Sequence, residues 1–267
     1  MTAGSISPRG ALLRVAAGSL PVLLVLFAAL PGTRAQTHAT ATPANCANPS
    51  ANAGVLVASA GAANGAVPAS LQANFNLVRQ STFPELANKV VRSRTFSSSS
   101  DYFRTRFSIS RFLFLQRMHY FVDMNPRIAA SGPSEESVCA ILAHELVHIV
   151  GMSSGNRIHL LGLARLASGS YTARFERAAD LEAIRRGYGP GLITYREWVY
   201  KNIPASALRQ KKRNYFSPEE ITEILRLSQA DSSLFAYWKA HVPLSLREIN
   251  GAAVPGTLAN RKQSNGP

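Results

Sequence analysis

Apolar and polar positions fall into distinct regimes along the chain. Val15 to Leu30 is an apolar run, preceded by Arg9 and Arg14 and followed by Thr33-Arg34-Ala35. A basic start, an apolar stretch and small residues before a cut site predict a signal peptide over 1–35, cleaved after Ala35. Gly18 and Pro21 interrupt the run, and it falls short of the about twenty residues of a spanning helix. An uncleaved anchor is therefore the less favoured reading, and no later segment looks comparably long and apolar. From 36 to 69, Ala, Thr, Asn, Gly and Pro dominate with almost no charge. Such a segment buries little surface and predicts a low-complexity linker.

Between Leu71 and Asn125, β-branched and aromatic residues are broken by turn signals such as Ser97 to Ser100. Phe107-Ser-Ile-Ser-Arg-Phe-Leu-Phe-Leu115 and Met118-His-Tyr-Phe-Val-Asp123 predict neighbouring strands, while a helix over Glu85 to Val91 fits equally well. Ser131-Gly-Pro-Ser-Glu-Glu136 starts a helix: polar caps, a proline for the first turn, and two acids for the positive end of the dipole. That helix is expected to stop at Gly151. A second includes Thr172 to Arg186, stopped by Gly187, with Arg185 and Arg186 in its last turn. Ser217-Pro-Glu-Glu220 fits a capping box, so the C-terminal third reads as mainly helical. The pattern as a whole predicts an α+β domain over 70–267, mainly helical with a small β-sheet.

Composition adds the compartment. The chain of 267 residues is 46% hydrophobic and 16% charged, with a net charge of +14, so it is globular and basic. Basic proteins attract nucleic acid, anionic lipid or acidic substrates. Predicted export argues against nucleic acid and leaves peripheral contact with an anionic membrane or envelope surface. The one dense basic cluster, Arg209-Gln-Lys-Lys-Arg213, reads first as a solvated loop. Two cysteines, Cys46 and Cys139, in an oxidising setting suit either one disulfide or two separate thiols.

The chemistry sits at His144-Glu145-Leu-Val-His148, an HExxH motif inside the apolar helix. Residues four apart stand one turn above each other, so both imidazoles reach one cation, and Glu145 projects about 100° round, placed as general base. Two histidines and a glutamate among apolar neighbours are costly unless something such as a metal satisfies them. Catalytic zinc takes three protein ligands. One template needs a third histidine six residues after His148, but Ser154 stands there. The other takes a glutamate from a later helix, and Phe175-Glu176-Arg-Ala-Ala-Asp180 supplies Glu176, with Glu182 as fallback. Asp180, one turn on, is placed to accept a hydrogen bond from a ligand histidine and fix its tautomer. His119, His159 and His241 read as structural or surface histidines; one of them, or Tyr188 or Arg185, is left as the candidate oxyanion stabiliser.

HELVH followed by ERAAD resembles the HExxH and ExxAD pair of the HtpX-like and BepA-like gluzincin peptidases, over roughly residues 120–189. The resemblance implies a zincin-like metallopeptidase domain with Zn2+ on His144, His148 and Glu176, acting on protein or peptide substrates. Tyr120-Phe-Val-Asp-Met-Asn-Pro-Arg127 resembles the strand that precedes the metal helix in that family and can line its substrate cleft, and the resemblance implies that an extended peptide adds to the sheet edge. The interval from His148 to Glu176 is shorter than in many relatives, and the chain has no multi-helix membrane region. Two other functions are open: a zinc-containing binding or chaperone-like module without catalysis, and a basic adhesin for anionic polymers.

Overall fold

The computed structural model describes residues 66–130, 132–155, 157, 160–162 and 168–252. The expected signal peptide, most of the expected linker, Cys46 and His159 lie outside the described residues.

The first element among the described residues is a helix not expected from the sequence, α1 (Ala69–Thr82), which buries Leu71, Phe75, Val78 and Thr82. Their three- and four-residue spacing is one helical stripe. The helix considered over Glu85 to Val91 is absent: a single 3-10 turn (Pro84–Leu86) leads into strand β1 (Val90–Thr95). Strand β2 (Phe103–Phe107), helix α2 (Ile109–Leu113) and strand β3 (His119–Met124) follow. The strand expected over Phe107 to Leu115 is therefore wrong beyond its first residue. Ser108 caps α2 through its hydroxyl, which accepts from the Arg111 N–H. The apolar residues of that stretch have no sheet to alternate against.

The sheet order is β1-β3-β2. β3 runs parallel to β1, with Val122 opposite Ser93, and antiparallel to β2, with Val122 opposite Thr105. β3 is thus the central strand, its backbone groups already paired on both sides. The strand that resembles the family's cleft strand is therefore not itself an edge, and the edges open to pairing with an extended peptide belong to β1 and β2.

After the short helix α3 (Arg127–Ala130) comes the axis of the domain, α4 (Glu135–Ser154). The Ser134 hydroxyl caps it by accepting from the Ser137 N–H, and Glu135 and Glu136 meet the dipole. The helix passes through Gly151 instead of stopping there. Ser153 and Ser154 bond back to the carbonyls of Val150 and Gly151, and the chain leaves at an extended Gly155. α4 is also long and apolar enough to cross a bilayer, contrary to the reading that no later segment is; 67% of its apolar window is buried inside the protein, as in a core helix.

Helix α5 (Gly169–Ala183) lies against α4. A wide π turn (Ile184–Tyr188) follows, in which Gly187 takes a left-handed φ of 92°. The expected stop at Gly187 is a kink, because the chain re-enters a helix at once as α6 (Gly189–Asn202). At the crossing of α6 and α4, a β-carbon on Gly191 would stand 2.6 Å from the Glu136 carbonyl oxygen and 2.8 Å from Ala140 Cβ. Backbone cannot yield as a side-chain tip does, so Gly191→Ala is expected to cost about 1–3 kcal/mol, read as a lower urea midpoint. An unchanged midpoint would mean that the two helices are not held at this distance.

The basic cluster Arg209 to Arg213 lies on helix α7 (Ala205–Asn214), not in a loop. Lys211 bonds to Asp101, and Lys212 Nζ sits 5.1 Å above the Tyr200 ring. Helix α8 (Pro218–Ala230) carries the expected capping box between Ser217 and Glu220. Helices α9 (Leu234–Ala240) and α10 (Leu246–Ala252) complete a mainly helical α+β fold around Phe75, Met124, Leu146, Leu192, Phe216 and Trp238. Cys139, 1% exposed on α4, is disulfide-bonded.

Candidate metal centre

One turn of α4 brings the two imidazoles together, with Nε2 of His144 and Nε2 of His148 3.1 Å apart and the rings nearly perpendicular. From α5, Oε2 of Glu176 stands 3.2 Å from the first nitrogen and 3.1 Å from the second. The histidine side chains are 1% and 8% exposed and that of Glu176 17%. Phe175, preceding Glu176, stacks on the His148 ring at 4.5 Å between centroids.

Asp180, one turn beyond Glu176, is fully buried and accepts at three places. Arg196 of α6 and His144 Nδ1 both approach Oδ1 at 2.8 Å, and the Phe216 N–H donates to Oδ2 at 3.1 Å. Burial by itself would raise the Asp180 pKa, but Arg196, then His144, bring it below its ordinary value. The carboxylate is ionised, so His144 donates from Nδ1 and turns its Nε2 to the cluster.

That arrangement fits a cation. Zinc with bonds of about 2.0–2.1 Å in tetrahedral array separates its ligand atoms by about 3.3 Å, close to the 3.1–3.2 Å found here. A lone pair on His144 Nε2 and a carboxylate oxygen converge with no positive charge between them unless a proton or a metal supplies one. Without metal, burial lowers the His144 pKa but Asp180 and Glu176 more than offset this and raise it to about 9. Burial likewise raises Glu176, while His148 and His144 hold it well below the ordinary carboxylate value.

The sign of the pH dependence follows. His144 is raised from 6.5 to about 9, so in metal-free protein its charged form stabilises the fold below pH 6.5 and that contribution is lost as pH rises through about 9. A metal ion bound through His144 Nε2 would have to displace this proton. Its apparent affinity is expected to rise about tenfold per pH unit until about pH 9, with about one proton released per ion at pH 7. Calorimetry in two buffers of different ionisation heat measures the release. A value near zero, with affinity flat from pH 7 to 9, would remove His144 from the ligand set.

Glu145 is 6% exposed and turned towards β2. Its Oε2 accepts from Thr105 Oγ1 at 2.6 Å, and the same hydroxyl lies 3.0 Å from the Glu145 carbonyl oxygen. The metal helix is thereby tied to an edge strand of the sheet. A small cleft beside it, of about 20 Å³, is lined by Glu145, Tyr102, Tyr195, Lys211 and Tyr215 and by none of His144, His148 and Glu176. The Tyr215 ring lies 5.7 Å from that of His144 and under the Arg196 guanidinium at 4.4 Å. Burial, then the charges of Glu176 and Glu145, hold the Tyr215 phenol well above its ordinary pKa despite Arg196, so it stays protonated. Thr105, Arg196 and Tyr215 are residues the sequence reading did not single out.

The remaining candidates lie elsewhere. Glu182, the fallback ligand, is held by Arg185 and Arg186, and Ser154 ends α4. Tyr188 shares a hydrogen bond of 2.8 Å with Thr82. His119 begins β3, and His241 stacks on Tyr237 at the end of α9. Arg185, bonded to Glu182, is likewise engaged away from the cluster. Among the described residues, His144, His148 and Glu176 form the one group able to hold a metal ion. Compared with protein-family models, with curated proteins and with solved structures, the chain matches none.

Proposed function

We propose that the chain is an exported zinc-dependent endopeptidase of the gluzincin type, acting on protein or peptide substrates in the cell envelope. The observation that carries the reading is the convergence of two imidazole nitrogens and one carboxylate oxygen within 3.2 Å, with a glutamate outside the trio that follows His144 in sequence and lines a small cleft. A purely structural metal site does not require a carboxylate beside its ligands that is not itself a ligand.

His144, His148 and Glu176 would hold the ion. Bound zinc supplies Lewis acidity, which polarises a scissile carbonyl and acidifies water. Asp180 fixes the His144 tautomer and raises its basicity. Glu145, positioned by Thr105, takes the proton of the attacking water and later delivers it to the leaving amine. Tyr215, kept protonated, offers a hydrogen-bond donor at the cleft for the carbonyl oxygen as it gains charge. The edge suited to an extended substrate is that of β2, the strand bonded to Glu145; main-chain pairing there gives affinity with little sequence selectivity.

The test is hydrolysis of an unfolded protein by the purified chain with and without a zinc chelator, alongside Glu145→Gln. Loss on chelation, recovery with zinc, and inactivity of the variant are expected. Stoichiometric zinc with no hydrolysis of any unfolded substrate would replace the peptidase by a zinc-containing binding or chaperone-like module.

A further inference from the structure

The hairpin joining β2 to β3 ends in α2, whose apolar side chains face outward. Ile109, Leu113, Phe114 and Leu115 are 66, 65, 74 and 78% exposed. Single exposed apolar residues are ordinary, but four within one hairpin tip form a patch. The tip is well tied: Ser108 N–H donates to the His119 carbonyl at 2.9 Å and Gln116 N–H to that of Arg111 at 3.0 Å, while Arg157 donates to the Arg111 and Gln116 carbonyls. Leu115 adopts a φ of 53°, the one left-handed non-glycine among the described residues. A branched apolar residue resists that conformation, and here it keeps a fully presented leucine at the tip.

The surroundings are cationic. Between Asp101 and Asp123 the sequence has no acid and four arginines, Arg104, Arg106, Arg111 and Arg117. Arg111 and Arg117 donate to main-chain carbonyls, of Arg117 and Asn88 respectively. In the sheet, Arg92, Phe121 and Arg106 lie in one row across the three strands, and Arg94, Asp123 and Arg104 in the next row on the same face. Asp123 is the one acid there, and Arg94, Arg104 and Arg106 share it at 3.0 Å each. Burial, and then Arg111, Arg92 and Arg117, lower the pKa of His119, so those three guanidiniums crowd the base of the tip.

We propose that this hairpin tip docks on anionic lipid bilayers, with Ile109, Leu113, Phe114 and Leu115 entering between the lipids and Arg92, Arg106, Arg111 and Arg117 meeting headgroup phosphates. Apolar side chains at a tip with arginines at its base match the layering of a bilayer interface, where the guanidinium fork binds phosphate and its stem stays in apolar surroundings. A second copy of this chain fits less well, because it would set arginine against arginine on a chain of charge +14. The proposal is independent of the peptidase reading.

The experiment uses the full chain carrying Phe114→Trp, since Trp238 is buried and Trp198 half-buried. Vesicles of phosphatidylcholine with phosphatidylglycerol are expected to shift the emission of the introduced indole to the blue, and acyl-chain-brominated lipids to quench it. Binding to phosphatidylcholine alone should be weaker. Arg111→Gln with Arg117→Gln in the same background should weaken binding to the anionic vesicles by about fivefold per arginine and flatten its salt dependence. An indole emission unchanged by anionic vesicles would overturn the proposal, even if the chain sediments with them through another segment. So would a blue shift that grows with protein concentration in lipid-free solution, which would assign the tip to self-association.

Discussion

Replacing Glu145 by glutamine is expected to lower peptide hydrolysis by about 10²- to 10⁴-fold while leaving bound zinc unchanged. The amide keeps the shape of the carboxylate, and its oxygen still accepts from Thr105, whose hydroxyl lies 2.6 Å from Oε2, so neither the helix nor the strand has reason to move. What disappears is the capacity to take and return a proton. The three proposed ligand atoms belong to His144, His148 and Glu176, and metal analysis of the variant should match the wild type. Turnover of an unfolded protein, measured with zinc content on the same sample, separates the two effects. Full activity in the zinc-loaded variant would show that Glu145 is not the base.

Removing the Asp180 carboxylate is expected to have the largest effect on stability. It is fully buried and serves His144, Arg196 and the Phe216 N–H together. Arg196 is itself 4% exposed, and Asp180→Ala would strand its charge in the core. Breaking one side of a buried pair costs about 3–5 kcal/mol, which for a domain of this size lowers the melting temperature by about 10 °C. Asp180→Asn is the gentler variant. It keeps the volume, folds more readily, and should weaken zinc by about 10- to 100-fold because His144 loses its orienting charge. Thermal unfolding and a zinc competition titration measure the two. Wild-type stability in Asp180→Ala would mean that Arg196 finds another partner and that the buried network is not what joins α4, α5 and α6.

Local spacing was the most legible part of this sequence. His144 with His148, and Glu176 with Asp180, are each one helical turn apart, and a helix of either segment puts each pair on one face without knowledge of the rest of the fold. The capping box at Ser217 is legible for the same reason. What escaped notice depends on contacts between distant segments. Thr105 meets Glu145 across forty residues of sequence, and nothing in Arg-Thr-Arg on a strand marks its middle residue. Arg196 and Tyr215 read as ordinary members of amphipathic segments until packing brings them to Asp180 and His144.

The pairing of β2 with β3 was legible as that of neighbouring strands, but the place of β1 on the other side of β3 was not, since a hydrophobic alternation gives faces and not neighbours. The strand expected over Met118 to Asp123 is found as β3 over His119–Met124, but it is central, and the open edge beside Glu145 belongs to β2. The segment from Ile109 to Leu115 misled the strand reading because its apolar residues are turned to solvent, the opposite of what alternation assumes. Gly151 misled it differently: an open helical glycine is merely tolerated when serine hydroxyls complete the next turn.

The central claim is that these helices build a three-ligand zinc site, and the direct measurement is the zinc content of the purified, zinc-reconstituted protein beside its Glu176→Ala variant. One zinc per chain in the first and sharply reduced occupancy in the second are predicted, with both proteins folded by circular dichroism. A well-folded wild-type protein that takes up no zinc, or a variant that holds it as tightly, would contradict the account.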